Sequence, residues 1–461
     1  MYILAINWHN VGSQILQLIL TLAILVIIHE LGHYLTARWF KCRVDKFYLF
    51  FDPWFSLFKK KVGDTEYGVG WLPLGGYVKI AGMVDESMDK EQMKQPPKPY
   101  EFRSKPAWQR LIIMLAGVTM NILLAFFIYA MVLFKWGETK INNGSMKNGI
   151  YIGNKVVSDW GFKNGDKFVS INGKPVKYFD DIQDKIINTK NVTVVVDRDG
   201  QMVTIALPVK KLGQLARGEK KHLIDFAIPP IIGSAIKQKE FDTSYSKLAG
   251  LQAFDSIVSV NDTAVRYFQD ISPIVKNSAN RTAKFVVLRN GVQSTIISKV
   301  NGDGKIGLPT LSINEMDSLG YLKLEIRKFG FFESFPAGVA KTGEKLSNYI
   351  DQFKQIVDPA TEGYQAVGGF QRIASVFPVP WDWESFWNIT AFLSIMLAFM
   401  NLLPIPALDG GHALFTIIEM ITGRKPSEKF MEIAQIVGMV LLLALMLYAN
   451  GNDWFGWGRG K

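Results

Sequence analysis

Four stretches of the chain are apolar over a length that can cross a membrane. The first contains an uncharged run, residues 15–28, and a helix needs about 20 mostly apolar residues to span the hydrocarbon core. The predicted spans are residues 13–35, 111–134, 387–406 and 433–449. Trp and basic residues flank the second span, as is typical of the membrane interface. The pattern therefore predicts a polytopic α-helical membrane protein with four transmembrane helices.

A segment of soluble composition with an internal repeat separates the second and third spans. Residues 161–172 (GFKNGDKFVSIN) recur as residues 250–261 (GLQAFDSIVSVN), and further matches follow in the same order. The pattern predicts a turn, a strand, a short helix, a strand and a hairpin in each copy. We therefore predict two α+β domains, residues 137–212 and 225–312, inserted between spans two and three.

Two further segments are predicted to lie at the membrane rather than across it. Residues 66–81 place two β-prone pieces around a Pro/Gly-rich turn, which predicts a membrane-associated β-hairpin on the cytoplasmic side. This hairpin is either a wall of the active site or an ordinary surface hairpin, because irregular backbone at membrane depth must be covered or line a wet cavity. Residues 326–380 contain a predicted amphipathic helix, residues 332–357, and a Pro/Trp-rich approach to the membrane. The two membrane halves are then residues 1–136 and 387–461.

The charge distribution predicts an orientation for the spans. The formal net charge is +11, and the excess Lys and Arg cluster beside apolar segments, with Lys59, Lys60 and Lys61 as an added cluster within the basic loop of residues 36–107. Because cytoplasmic loops carry such an excess, residues 36–107 and the loop between spans three and four are predicted to be cytoplasmic. Both termini and the two soluble domains would then lie outside. Such clusters favour membrane lipid as a partner. A nucleic-acid partner is not indicated, because the sequence has no basic stripe with interleaved aromatic residues.

The first predicted span ends in the sequence HELGH, residues 29–33, which can bind a metal ion. Positions i and i+4 of a helix lie on one face, so His29 and His33 can present two imidazoles to one ion. Glu30 can then reach a bound water and take its proton. A chance match is the alternative, but the chain has only five His, and ionisable groups at the end of a span are costly to bury.

Asp409 is a candidate third metal ligand, because it directly follows the third apolar span. Pro404 and Pro406 interrupt the helix just before it. A solvated interfacial aspartate is the alternative interpretation. His412 is a weaker candidate, since two histidines and one carboxylate already complete a catalytic set of three. The one cysteine, Cys42, excludes a cysteine-based zinc site and an intrachain disulfide.

Asn121 lies in the middle of the second predicted span, with Gly117 one turn before it. A buried amide needs hydrogen-bond partners, so Asn121 is predicted to face the helix bundle. Gly117 would allow close approach of a neighbouring helix. A packing role is the favoured interpretation of both residues.

These motifs resemble known families when they are taken together. The repeat resembles PDZ domains, which commonly bind peptides by adding a strand to a sheet edge, and a spacer or steric gate is an equally open role. The HExxH motif, LPLGGYVK at residues 72–79, NLLPIPALDGG at residues 401–411 and the repeat together resemble the site-2 protease family of intramembrane zinc metalloproteases. The closest resemblance is to the bacterial sigma-E-protease branch with tandem PDZ domains. Residues 368–373 (GGFQRI) depart from the G-P-x-G-I that many relatives carry.

This resemblance implies a set of functional residues and substrates. One zinc ion per chain would be held by His29, His33 and Asp409, with Glu30 as the general base. The substrate-binding residues that it implies are Asn401, Gly75, Gly76 and Tyr77. The substrates would be single-span transmembrane proteins, of the anti-sigma-factor or remnant-signal-peptide type, cut in the course of regulated intramembrane proteolysis. The protein would lie in the bacterial inner membrane, with its active site toward the cytoplasm and PDZ domains that gate substrates or bind peptides outside.

Two other function classes compete with the protease. In a non-catalytic membrane adaptor, the PDZ-like pair would bind peptide termini and the metal site would be structural. Structural zinc sites are usually closed four-ligand sets rich in cysteine, so this is the weaker interpretation. A soluble zinc protease with an export signal is disfavoured by the three further apolar spans.

Overall fold

The computed structural model describes residues 8–73, 75–83, 96–218, 223–234 and 244–458. Four predicted segments lie partly outside these residues: the N-terminal membrane half, the hairpin at Leu74, the second soluble domain at residues 235–243 and the C-terminal membrane half at residues 459–461. The chain divides into two compact units. The helical unit comprises Met1–Gly137, Lys328–Phe353 and Val367–Lys461, and the repeat unit comprises Glu138–Arg327 and Lys354–Ala366.

The order of helices and strands follows this division. The helices are α1 Trp8–Trp39, α2 Ala107–Lys135, α3 Lys155–Asp159, α4 Asp181–Ile187, α5 Lys211–Arg217, α6 Tyr245–Leu248, α7 Ile271–Lys276, α8 Ile313–Ser318, α9 Phe331–Val357, α10 Phe370–Ser375, α11 Trp383–Leu402, α12 Asp409–Thr422 and α13 Glu428–Phe455. The strands are β1 Val44–Leu49, β2 Phe51–Val62, β3 Thr65–Leu72, β4 Tyr77–Ile80, β5 Glu138–Ile141, β6 Ile150–Tyr151, β7 Lys167–Ile171, β8 Lys174–Pro175, β9 Thr193–Arg198, β10 Gln201–Ala206, β11 Asp225–Phe226, β12 Ser256–Val260, β13 Thr263–Ala264, β14 Thr282–Arg289, β15 Val292–Lys299 and β16 Leu324–Arg327.

Helices α1, α2, α11 and α13 are the helices of the described chain that are long and apolar enough to cross a membrane. Each contains most of one predicted span and, with one exception, extends beyond it at both ends. The exception is α11, which ends before residue 406, so the predicted end of the third span is wrong. Helix α11 ends at Leu402, because Pro404 and Pro406 have no N–H to continue the helix and disfavour helical backbone before them.

Helix α2 lies in the middle of the helical unit and packs against α1, α11 and α12. Gly32 on α1 faces the α2 backbone so closely that a Cβ atom there would lie 2.5 Å from the Ala116 carbonyl oxygen. Small residues permit such approach of helices in a membrane. The buried residues shared by α2 and α11 are Ala125, Ile128, Tyr129, Val132, Ala391 and Ile395. This packing places α2 between α1 and α11 in the helical unit.

The chain between α1 and α2 forms a four-stranded sheet with the strand order β2–β3–β1–β4. The predicted hairpin at residues 66–81 is therefore wrong, because its two β-prone pieces are β3 and β4 and they do not pair with each other. Strand β1 lies between them, parallel to β3 and antiparallel to β4. Val44 and Tyr48 of β1 are buried. Strand β1 therefore offers β3 and β4 a better-packed pairing partner than β3 and β4 offer each other. Strand β3 forms its hairpin with β2 instead.

The repeat unit contains two sheets of identical topology. The first has the order β10–β9–β7–β8 and the second has the order β15–β14–β12–β13. One short helix, α4 or α7, precedes the long hairpin of each copy. Each sheet covers its own buried core, with Phe168 and Val194 in the first and Ile257 and Phe285 in the second. The duplication read from the sequence is therefore a duplication of an α+β fold.

Helix α9 contains the predicted amphipathic segment, and its N-terminal part belongs to the helical unit. A Cβ atom at Gly338 would lie 2.7 Å from the Ala130 backbone nitrogen, so α9 packs closely on α2 there. The GGFQRI departure forms the start of α10. The Gly369 and Arg372 backbone N–H groups donate to the Asp453 carboxylate at 2.8 and 3.1 Å, which fixes α10 on α13.

Candidate active site

The two histidines of the HExxH motif lie one turn apart on α1. Their Nε2 atoms are 3.2 Å from each other, and both residues are buried. The helical repeat alone accounts for this pairing, since residues four apart share one face of a helix. The close approach of α1 and α2 at Gly32 then covers the two rings.

Asp409 joins the histidines from the first turn of α12. Its Oδ2 atom is 3.1 Å from His29 Nε2 and 3.3 Å from His33 Nε2. The turn that delivers it is tightly packed, because a Cβ atom at Gly410 would lie 2.4 Å from the Leu402 carbonyl oxygen. The break after α11 and the glycine at the start of α12 therefore bring a carboxylate back to the ligand histidines.

The three side chains fit a zinc ion. The ligand atoms of His29, His33 and Asp409 all lie within 4.8 Å of one another. Asp409 Oδ2 is buried and accepts no hydrogen bond from the described residues, which suits an oxygen that binds a metal. Two imidazole nitrogens and a carboxylate oxygen are a usual protein ligand set for catalytic zinc, which keeps one position open. His412 is not part of this cluster.

Partners around the cluster hold the two imidazole rings. His33 Nδ1 lies 2.8 Å from the Ile113 carbonyl oxygen, to which it can donate its proton. His29 Nδ1 lies 3.3 Å from the Asn121 side-chain nitrogen, and His29 Nε2 lies 3.3 Å from that of Asn401. The structure thus brings the candidate substrate-binding residue Asn401 to the metal cluster.

Gly117 forms the floor beneath the two rings. A Cβ atom at this position would lie 2.4 Å from His33 Nε2 and 2.6 Å from His29 Cε1. The packing role favoured from the sequence for Gly117 and Asn121 is therefore incomplete, because both residues contact the candidate metal ligands. Their spacing of one helical turn was visible in the sequence. Nothing in the sequence showed that this face of α2 meets the motif on α1.

Glu30 lines a cavity of about 750 Å³ beside the cluster of His29, His33 and Asp409. The wall of the cavity includes His29, His33 and Asp409, so the acid and the candidate ligands share one space. Other lining residues include Lys46, Phe51, Asp52, Leu72, Val78, Lys79, Met83, Met114, Leu408, His412 and Gln435. The wall is mostly apolar, and charged groups are confined to a few points.

Strand β4 and the turn before it form one side of this cavity. Gly76 lies against α1, where a Cβ atom would be 2.6 Å from Val26 Cγ1 and 3.5 Å from Glu30 Cγ. A Cβ atom at Gly75 would be 2.9 Å from the Phe51 ring. The Tyr77 hydroxyl donates to Asp52 Oδ1 at 2.9 Å, and burial, followed by this hydrogen bond, raises the pKa of the Tyr77 phenol. Tyr77 therefore stays a neutral donor at neutral pH.

A site of two buried histidines on a helix of membrane-spanning length, completed by a carboxylate from a shorter helix and open to a cavity with a glutamate, is characteristic of a membrane metalloprotease. The chain matches the family model described as Peptidase family M50 over residues 17–445, and it belongs to that family, the site-2 protease family. The chain is a zinc metalloprotease and an integral membrane protein.

Relatives from several bacteria align with this chain over nearly its whole length. A protein of Treponema pallidum named as a zinc metalloprotease is 25% identical, and the match covers 94% of this chain and 97% of that protein. A zinc metalloprotease by name from Neisseria meningitidis serogroup A is 27% identical, with 95% and 98% covered. One from Vibrio cholerae is 28% identical, with 94% and 97% covered.

Proposed function

We propose that this protein hydrolyses peptide bonds in or beside the transmembrane segments of single-span membrane proteins. The observation that carries the proposal is the position of Glu30. It follows the first candidate ligand within a helix of membrane-spanning length and faces the same cavity as Asp409. A hydrolytic site in this position acts on peptide bonds at membrane depth.

The chemistry divides among four side chains. His29, His33 and Asp409 would hold the zinc, which when bound lowers the pKa of water to about 7 and so supplies a nucleophile at neutral pH. Glu30 accepts a proton from the attacking water and returns it to the leaving amine. His29 and His33 are buried, and this low exposure to water strengthens the electrostatic contacts of the site.

A helical substrate hides its peptide bonds, so it must unwind before it is cut. Strand β4 is an edge strand of its sheet: one side pairs with β1, and the other side pairs with no described strand. An unwound substrate can add to this edge as a further strand and replace its lost backbone hydrogen bonds. Gly75, Gly76 and Tyr77 position this edge, and the Asn401 amide offers a donor and an acceptor next to the metal ligands.

The repeat unit and the membrane orientation complete the proposal. The two copies with identical strand order support a pair of PDZ-like domains, which would gate substrates or bind peptides outside the membrane. The basic residues near α2 and α13 favour a cytoplasmic position for the metal site in a bacterial inner membrane. The substrates would be anti-sigma factors or remnant signal peptides, as in the sigma-E-protease branch that the motifs resemble.

The test is cleavage of a tagged single-span substrate in membranes by wild type and by Glu30→Gln, with the zinc content of both proteins measured. Glu30→Gln keeps the size of the side chain and removes the base, so we expect cleavage to fall at least about 100-fold while zinc is retained. Cleavage that survives in the zinc-loaded variant would refute the mechanism. A zinc-loaded wild type that cleaves nothing would favour the adaptor interpretation, in which the metal site is structural.

A further inference from the structure

Asn121 is a polar residue in the middle of an apolar helix, and its side chain is completely buried. Its Nδ2 atom is 3.3 Å from His29 Nδ1. Its Oδ1 atom is buried and has no hydrogen-bond partner among the described residues. Ser394 Oγ donates to the Asn121 backbone oxygen at 2.8 Å, which leaves the side-chain amide for the ring. Burying an amide without a hydrogen-bond partner costs free energy of folding, so we expect the Asn121 side chain to have such a partner.

The other ligand histidine shows what such a partner does. His33 Nδ1 lies 2.8 Å from the Ile113 carbonyl oxygen, a pure acceptor. The ring must therefore carry its proton on Nδ1, and the lone pair of Nε2 points into the metal cluster. Histidine ligands of metals usually donate their second N–H to such an acceptor, which fixes the tautomer and the ring orientation. Ile113 and Asn121 both belong to α2.

We propose that Asn121 is the positioning residue of His29, with its side-chain oxygen accepting the Nδ1–H of that ring. The two ends of an amide have nearly the same shape, so Oδ1 occupies the space beside the ring as well as Nδ2 does. With the amide nitrogen facing the ring, the imidazole proton would have to lie on Nε2 and would block its lone pair. Helix α2 then orients both ligand rings, one through a backbone oxygen and one through a side chain.

The inference rests on the proposed metal site and adds a measurable property to it. A residue that only fills space can be replaced by an apolar side chain of similar size. A residue that holds a tautomer can be replaced only by another acceptor. Asn121→Leu and Asn121→Asp both keep the branching of asparagine at Cγ, and only the aspartate retains a side-chain oxygen that can accept the Nδ1–H, so the pair separates packing from positioning.

The experiment measures zinc affinity of the full-length protein in detergent by competition with a chromophoric chelator. The variants are Asn121→Leu, Asn121→Asp and a control, Thr390→Val. Thr390 is also completely buried and its hydroxyl is 3.0 Å from that of Thr21, but this pair does not contact the histidines. We expect Asn121→Leu to bind zinc about 10- to 100-fold more weakly than wild type. Asn121→Asp should stay within a few fold of wild type or bind more tightly, and Thr390→Val should match wild type.

Thermal melting of each zinc-free protein provides the second readout. If Asn121→Leu melts close to Thr390→Val and still loses zinc affinity, the loss comes from the ligand ring rather than from the bundle. Wild-type affinity in Asn121→Leu, or an equal loss in a folded Asn121→Asp, would overturn the positioning role while the metal site stands. Should Asn121→Leu fail to fold, Asn121→Asp alone decides by the same criterion. A wild type that binds no zinc would instead overturn the proposed metal site itself.

Discussion

The metal site depends on the absence of a side chain at Gly117 of α2, because a Cβ atom there would occupy the space of the ligand rings. The clash that a Cβ atom would cause involves His33 Nε2 at 2.4 Å and His29 Cε1 at 2.6 Å, which are the ends of side chains. We therefore expect Gly117→Ala to fold, because the rings can rotate away, and to lose at least about 100-fold in zinc affinity, because they then no longer converge. Zinc titration of the purified protein measures this.

Two glycines of α1, Gly12 and Gly32, are the controls for that substitution on α2. A Cβ atom at Gly12 would meet no atom within 4 Å, so Gly12→Ala should bind zinc normally and gain a little helix stability. At Gly32 it would lie 2.5 Å from a backbone oxygen of α2, which cannot move aside, so Gly32→Ala should lower the melting temperature of the zinc-free protein. Normal zinc binding in Gly117→Ala would contradict the ring-floor role.

At the scale of elements, the two copies of the repeat use the same buried ion pair. Arg198 donates to both oxygens of Asp166 at 2.7 and 2.8 Å, and Arg289 donates to both oxygens of Asp255 at 2.7 Å. Both aspartates are almost fully buried. In each copy the pair links the residue just before the first strand of the sheet, β7 or β12, to the last residue of the first hairpin strand, β9 or β14.

Removal of either arginine should destabilise its own copy. Arg198→Leu and Arg289→Leu each leave a buried carboxylate without a cation, which typically costs about 3 to 5 kcal/mol. Pulse proteolysis of the full-length protein in denaturant, with fragments mapped to each copy, measures the effect. Lys284→Met breaks the exposed pair with Asp262 and should change stability by less than about 1 kcal/mol. Equal effects from the exposed and the buried pairs would contradict this account.

Helices and strands could be predicted from the sequence where the pattern that defines them lies within one continuous segment. The repeat and the long helices follow from periodicity and composition within one segment. The sheet beside α1 does not, because β1 (VDKFYL) has no clean alternation and occurs in a basic loop. The two β-prone pieces nearest to each other in sequence were therefore paired wrongly, while β1 inserted between them.

At the scale of the whole molecule, the site depends on contacts between segments far apart in sequence. The helical period places His29 and His33 together, and an acid after a broken span was a natural third ligand. The approach of Gly117 and Asn121 to these rings depends on how α1 and α2 pack, which no single-segment pattern contains. Sequence reasoning therefore predicted the grouped ligand candidates and missed the residues that shape their surroundings.

The metal should hold together segments of one unit and leave the other unaffected. All three candidate ligands belong to the helical unit, on α1 and α12, and none lies in the repeat unit. A ligand that binds only the folded state at 100 times its Kd adds about 2.7 kcal/mol of stability. Removing zinc with a chelator should therefore speed hydrogen exchange by up to about 100-fold in residues 403–412 and around the motif, and lower the melting temperature.

Hydrogen-exchange mass spectrometry of the zinc-loaded and chelated protein makes this comparison directly. Exchange in the strands of both repeat copies should be the same in the two samples, because zinc binding contributes nothing to their local opening. Gly117→Ala without chelator should reproduce the chelated pattern, since it removes the metal by displacing the rings. Faster exchange throughout the repeat unit on chelation would mean that the metal stabilises the chain as a single cooperative structure, contrary to its division into two units.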